Sequence, residues 1–134
     1  MERRYLMFAS FEKDYIMRIV REMVRTLLKL LFGVDTTRSM EDVIKESEEK
    51  QLLERLLTMI DEGLINEAEN ELYEITLDGD RAHLKTALVF YYHLAGKDED
   101  FLLQHGYTQD EVKEGAEDLI ERYGIRDIAD MFLQ

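Results

Sequence analysis

A chain of 134 residues with a net charge of −13 and no cysteine, proline or tryptophan excludes several functions before any motif is read. Thiol catalysis and disulfide scaffolds need cysteine. Nucleic-acid binding needs clustered positive charge, so no nucleic-acid partner is expected. Hydrophobic residues make up 46% and charged residues 35%, which argues against disorder. A chain of this length buries roughly two-thirds of its unfolded surface, enough for one domain spanning 1–134.

The charge is uneven. Residues 1–33 hold seven basic side chains against four acidic ones, a local +3, which leaves −16 for the rest. The opening "MERRYLMFA" has two arginines and a five-residue apolar run, too short for a signal peptide. Nothing approaches the roughly 18 apolar residues of a membrane span. A cysteine-free chain suits a reducing compartment, and a cytoplasmic location is expected.

The first predicted helix runs from Phe11 to Phe32, with Gly33 able to end it in the left-handed conformation. Its core is "YIMRIVREMVRTLLKLLF", interrupted only by Arg18, Arg21, Glu22, Arg25, Thr26 and Lys29. Those six sit three or four apart and form one narrow, mostly basic stripe. The apolar arc takes in Tyr15, Ile16, Ile19, Met23, Leu27 and Leu30 and is far wider than the stripe of roughly 100° that a surface helix shows. Three readings compete. The helix is packed on several sides in its own core, or it is shared between the core and a twin subunit. In the third, it lies on an anionic membrane with its basic stripe at the head groups, although such helices have a broader polar face. The candidate interaction residues are those six apolar positions together with Arg18, Arg21 and Arg25.

After a "GVDTTRS" loop, Ser39 and Asp42 read as a capping box, which predicts a second helix from near Met40. The polar run Lys45 to Gln51 is where that helix would fray or break, before apolar spacing resumes at Leu52, Leu53, Leu56, Leu57 and Ile60. A third helix, Ile65 to Leu77, follows Gly63 so closely that the two form an antiparallel hairpin. Asp80 reads as the N-cap of a fourth helix, Arg81 to Leu94. Its "ALVFYYHL" is apolar nearly all round, which makes it the predicted central helix. A short helix is predicted over Glu99 to Gln104. Thr108 and Glu111 form a second capping box, and Val112, Ala116, Leu119, Ile120 and Tyr123 give the next helix one clean face. Gly124 ends it, and "IRDIADMFL" gives a last helix. Six glycines fall at helix ends; Gly115 lies inside the sixth helix, either as a tolerated cost of about 1 kcal/mol or because another element comes close. The fold class is all-α, six to seven helices arranged as hairpins.

"DEGLINEAENELYEI" (Asp61 to Ile75) resembles the turn and second helix of a tetratricopeptide repeat, with Gly63, Ile65, Ala68 and Leu72 in the matching places. No second copy is found. From Phe11 onward, "FEKDYIMRIVREMVRTLLKLLFG", "MIDEGLINEAENEL" and "ALVFYYHLAGKDEDFLLQHGYTQDEVKEGAEDLIERYGI" resemble a family of small helical proteins of unknown function from Gram-positive bacteria. That resemblance implies an all-α, repeat-like fold and brings no activity, hence no catalytic residues. Residues 1–10 lie outside it and read as an extension.

The chemistry is thin. Only three serines are present, none in a G-x-S-x-G turn, and no glycine-rich phosphate loop exists. His83, His93 and His105 are the only side-chain nitrogen ligands for a metal; Asp80 and His83 share a helix face, but His83 and His93 do not. No metal or cofactor is expected, and the histidines read as structural or exposed. Tyr91, Tyr92 and His93 either line a pocket or fill the core with their hydroxyls tied to a neighbour. The acidic run Glu111, Glu114, Glu117, Asp118 and Glu121 is a solvated face that could also draw a basic partner. The reading is therefore a non-enzymatic interaction module, working as a homodimer or as an adaptor for another chain. A peripheral membrane protein docked by residues 1–33 comes second, and an enzyme or small-molecule binder third.

Overall fold

A computed structural model describes residues 2–35 and 40–133, with side chains described for 14–35, 40 and 42–131. Seven α-helices run in order: α1 Glu2–Phe32, α2 Ser47–Asp61, α3 Ile65–Ile75, α4 Arg81–Ala95, α5 Glu99–Gln104, α6 Gln109–Arg122 and α7 Arg126–Leu133. Short 3₁₀ turns occupy Met40–Val43 and Thr76–Asp78. No strand occurs among the described residues, as the helical periodicity requires.

α4 is the middle of the molecule. It packs against α1, α2 and α6, and Leu84, Leu88, Val89, Phe90, Tyr91, Tyr92 and Leu94 are all buried. Its N-terminus is set by Asp80, whose carboxylate accepts from the Ala82 N–H at 2.8 Å. α2 and α3 pack as a hairpin, and Arg55 pairs with Glu71 across it. Gly63 makes the hairpin turn at φ 88°, where a Cβ would run into the His105 ring.

The breadth of the apolar arc on α1 follows from its neighbours. The helix is 31 residues long, about 46 Å, and it packs against α4, α6 and α7. Met17, Val20, Met23, Val24, Leu27 and Leu28 are all buried in the core. Three flanking helices need a wide apolar surface, and the polar stripe is what remains. The helix starts at Glu2, so the stretch expected as an extension continues α1.

The second helix begins later than its apparent capping box. Ser39 lies outside the described residues, and Met40–Val43 is a 3₁₀ turn; α2 starts at Ser47. The reason is phase. Ile44 and Leu53 are both buried. Nine residues of continuous helix, at about 100° each, would set them on opposite faces. A break lets both reach the core, and the polar residues around it stand in water. α3 likewise ends at Ile75 and tightens into the 3₁₀ turn, with Thr76 buried and its hydroxyl 3.0 Å from the Leu72 carbonyl.

Candidate functional site

Successive residues on a helix point about 100° apart, so Tyr91, Tyr92 and His93 do not share one pocket. Tyr91 turns towards α3 and α6, where its hydroxyl donates to Glu69 Oε2 at 2.7 Å. Tyr92 turns towards α1. His93 turns to Asp61, with 2.7 Å from Nε2 to Oδ1. Of the two readings of these residues, a shared pocket lining is not seen; Tyr91 and Tyr92 fill the core with their hydroxyls tied to Glu69 and Arg25, and the three residues belong to three separate sites.

The apolar interaction set also divides. Met23 and Leu27 are buried inside the chain's own core and present no free face, while Ile16 and Ile19 are half-buried. Tyr15 and Leu30 are 54% and 58% exposed, but they lie fifteen residues apart on α1, over 20 Å at about 1.5 Å per residue. They do not make one patch. The six positions are not a single interface.

The arginines of the same set do come together with Tyr92. A groove of about 430 Å³ runs between α1 and the C-terminal end of α4, lined by Arg18, Arg21, Arg25, Tyr92, Lys97 and Gln109 among others. Arg21 lies over the Tyr92 ring at 4.3 Å from its centroid, and Arg25 at 5.4 Å. Arg25 also donates from Nη2 to the Tyr92 hydroxyl at 2.7 Å. The ring is 9% exposed and held by the core, so it fixes both guanidiniums by cation–π contact and hydrogen bonding. Yet Arg21 Nε, Arg25 Nε and Gln109 Oε1 are buried without a partner. All three belong to residues lining this one groove. Buried polar atoms are satisfied as a rule, and a cluster of exceptions needs a cause. Asp14, Glu22 and Asp98 also line the groove. Glu22 lies 3.7 Å from Arg25 Nη1, and Asp98 caps α5 through the Phe101 N–H at 2.9 Å. Lys97 is held by Asp61 at 2.6 Å.

A second cluster lies between α3 and α6. Glu69 Oε2 accepts from both Tyr91 and Tyr107, at 2.7 and 2.9 Å. Burial, then the Glu69 carboxylate, pushes both phenols well above their ordinary pKa, so both stay donors. Gly115 makes room for this: a Cβ there would come within 2.7 Å of the Tyr91 hydroxyl. Of the two readings of Gly115, the close-approach one describes the site, with side chains of α3 and α4 as the elements that approach.

The third cluster joins α2, α4 and the 3₁₀ turn after α3. His83 lies 3.0 Å from Glu49 Oε1 through Nε2 and 3.2 Å from Asp78 Oδ1 through Nδ1. Asp78, Asp80 and His83 are close enough to share a cation. Their atoms are already engaged: Asp80 caps α4, and Asp78 accepts from the Asp80 N–H at 2.9 Å. Burial pushes the His83 pKa down, but the hydrogen bond that its Nδ1 donates to Asp78 and the charges of Glu49, Asp78 and Asp80 outweigh it, and the net shift is upward. A pKa raised on folding contributes stability that is complete below the unfolded value of about 6.5 and is lost as pH rises through the folded value. The melting temperature is therefore expected to fall as pH rises across that window. His83→Gln should remove that part of the slope, and an unchanged slope would count against the bridge.

Another cavity, of about 580 Å³, lies against Phe32, Val34, Val43 and Lys85 at the connection after α1. No orphaned polar atom faces it among the described residues.

A family of unknown function (DUF6483) matches residues 10–124, which include every groove residue and stop short of α7. No curated protein matches the chain, and no solved structure does.

Proposed function

The chain belongs to the DUF6483 family of unknown function, and from the groove on its surface we propose that it is a non-enzymatic protein-binding module that docks a partner chain between α1 and α4. The observation that carries this reading is the pair of guanidiniums stacked on Tyr92 with both Nε atoms unpartnered. Preorganised arginine and tyrosine at the centre of a groove are typical anchors of protein interfaces. His83 and His93 are engaged with carboxylates in structural bridges, and His105 bonds to the Phe101 carbonyl, which supports binding over catalysis. In this reading the α2–α3 hairpin is tetratricopeptide-like: Ala68 and Leu72 are buried behind the Gly63 turn, in the manner of helical hairpins that build binding surfaces. A cysteine-free chain of this kind suits the cytoplasm.

Among the described side chains of α1, a homodimer would be left with Tyr15, Leu30 and the half-buried Ile16 and Ile19, since Met23 and Leu27 are taken up inside the chain; a different protein as partner is the stronger reading. Membrane docking is weakened for a different reason: Arg21 and Arg25 lie in the groove against Tyr92, where a narrow segment reaches them more readily than a flat bilayer surface does. No helix among the described residues is long and apolar enough to cross a membrane.

A photo-crosslinking amino acid at Arg18, on the exposed edge of the groove, tests the reading in the intact cell. A discrete adduct is expected that disappears when Arg21→Glu and Arg25→Glu are added. It should be absent when the crosslinker sits at Glu67, on the exposed side of α3. Adducts that survive charge reversal, or that form equally from Glu67, would overturn it.

A further inference from the structure

We infer that the occupant of the α1–α4 groove is an extended acidic segment of polypeptide, with two carboxylates spaced i,i+2 against Arg21 and Arg25 and a main-chain N–H against Gln109. This rests on the reading of the groove as a docking face.

Three features of the groove select that chemistry. The first is spacing. Arg21 and Arg25 are four residues apart on α1, about 6 Å along the axis. In an extended strand, residues i and i+2 project to one side about 6.8 Å apart. A Glu-x-Glu stretch laid along α1 therefore meets both guanidiniums at once. Each would gain the paired geometry that a fork of N–H donors offers a carboxylate, Nε included.

The second feature is Gln109. It is 4% exposed, the first residue of α6, and its Oε1 has no donor. A bare anion has no N–H to give it. A peptide carries one at nearly every residue, beside its carboxylates. With the carboxamide turned over, the same position presents a donor, and a carbonyl of the same peptide meets it. Either orientation is answered by a peptide, which carries an N–H and a carbonyl at nearly every residue, whereas an anion without a proton answers only one.

The third feature is charge. Arg18, Arg21, Arg25 and Lys97 face Asp14, Glu22 and Asp98 in the groove wall. Lys97 is already held by Asp61, so three guanidiniums face three carboxylates and the wall carries no large excess of either sign. Such a wall accepts one or two negative charges and repels a dense polyanion, which disfavours nucleic acid and heavily anionic membranes. The acidic body around it, −16 outside residues 1–33, adds to that repulsion.

Fluorescence anisotropy with a fluorescein-tagged Ser-Glu-Ala-Glu-Ser peptide tests this on the full chain. Binding is expected, weakened about tenfold or more by Arg21→Gln or by Arg25→Gln, as for loss of a charge-assisted pair. The Ser-Gln-Ala-Gln-Ser peptide should not bind, which keeps the test sound even if a variant misfolds. Inorganic phosphate should not displace the peptide at matched ionic strength. No binding of the acidic peptide, while the Arg18 crosslink persists, would overturn the ligand chemistry and leave the docking face standing. Equal binding of the glutamine peptide, or displacement by phosphate, would overturn it too. So would binding of phosphatidylglycerol vesicles in place of the peptide. Loss of the Arg18 crosslink together with the peptide would remove the docking face itself.

Discussion

Leu27→Glu is expected to abolish the folded state. Leu27 is fully buried where α1 meets its neighbours. The substitution removes one of the larger apolar side chains of the core, a loss of about 2–5 kcal/mol on the scale of large-to-small changes. It also places a carboxylate where no partner waits, at a cost of several kcal/mol more unless the group is protonated. The sum is comparable with the total stability of a small domain, about 5–15 kcal/mol. Circular dichroism should show reduced helix content and no cooperative urea transition. Leu30→Glu, three residues along the same helix at 58% exposure, should change stability by no more than about 0.5 kcal/mol. If both variants melted alike, the packing assigned to α1 would be wrong.

Gly115→Ala is expected to destabilise the protein, against the usual rule. In an exposed helix interior the same change gains about 1 kcal/mol. Here the new methyl would meet Tyr91 at 2.7 Å, and Tyr91 is a buried ring tied to Glu69. The ring cannot swing aside without breaking the bond that Glu69 shares with Tyr91 and Tyr107. Overpacking of this kind costs about 1–3 kcal/mol, and it outweighs the gain in helix propensity. Chemical denaturation of the two proteins decides the matter. A more stable alanine variant would mean that the tyrosine network is loose.

These two positions also mark how far the sequence can be read. Helix periods, the caps at Asp80 and Thr108 and the central place of α4 were legible, because each depends on residues within one or two turns. Thr108 does accept from the Glu111 N–H at 3.1 Å. The start of α2 was partly legible: the polar run Lys45 to Gln51 marked where a helix begun near Met40 would break, but not that Met40–Val43 is a separate 3₁₀ turn, which follows from the need to bury Ile44 and Leu53 together. That is a tertiary demand on phase. The groove was half legible. The narrow basic stripe and the Tyr91–Tyr92 pair both stood out, yet nothing local says that Tyr92 lies beneath Arg25, 67 residues earlier. Gln109 carried no signal at all, since a glutamine at a helix start reads as ordinary surface. Glu69 was equally hidden among thirty carboxylates, and only the fold shows that two phenols converge on it.

Whether the α1–α4 groove is the docking face is tested most directly by heteronuclear NMR of arginine Nε–H groups. Arg21 and Arg25 should each give a slowly exchanging Nε–H signal, since both atoms are buried without a partner, assigned by its loss in Arg21→Lys or Arg25→Lys. Adding the acidic peptide should shift both signals while those of Arg55 and Arg122, engaged elsewhere with Glu71 and Asp118, stay in place. Shifts confined to Arg55 or Arg122, with Arg21 and Arg25 unmoved, would contradict the account and move the docking face to another side of the molecule.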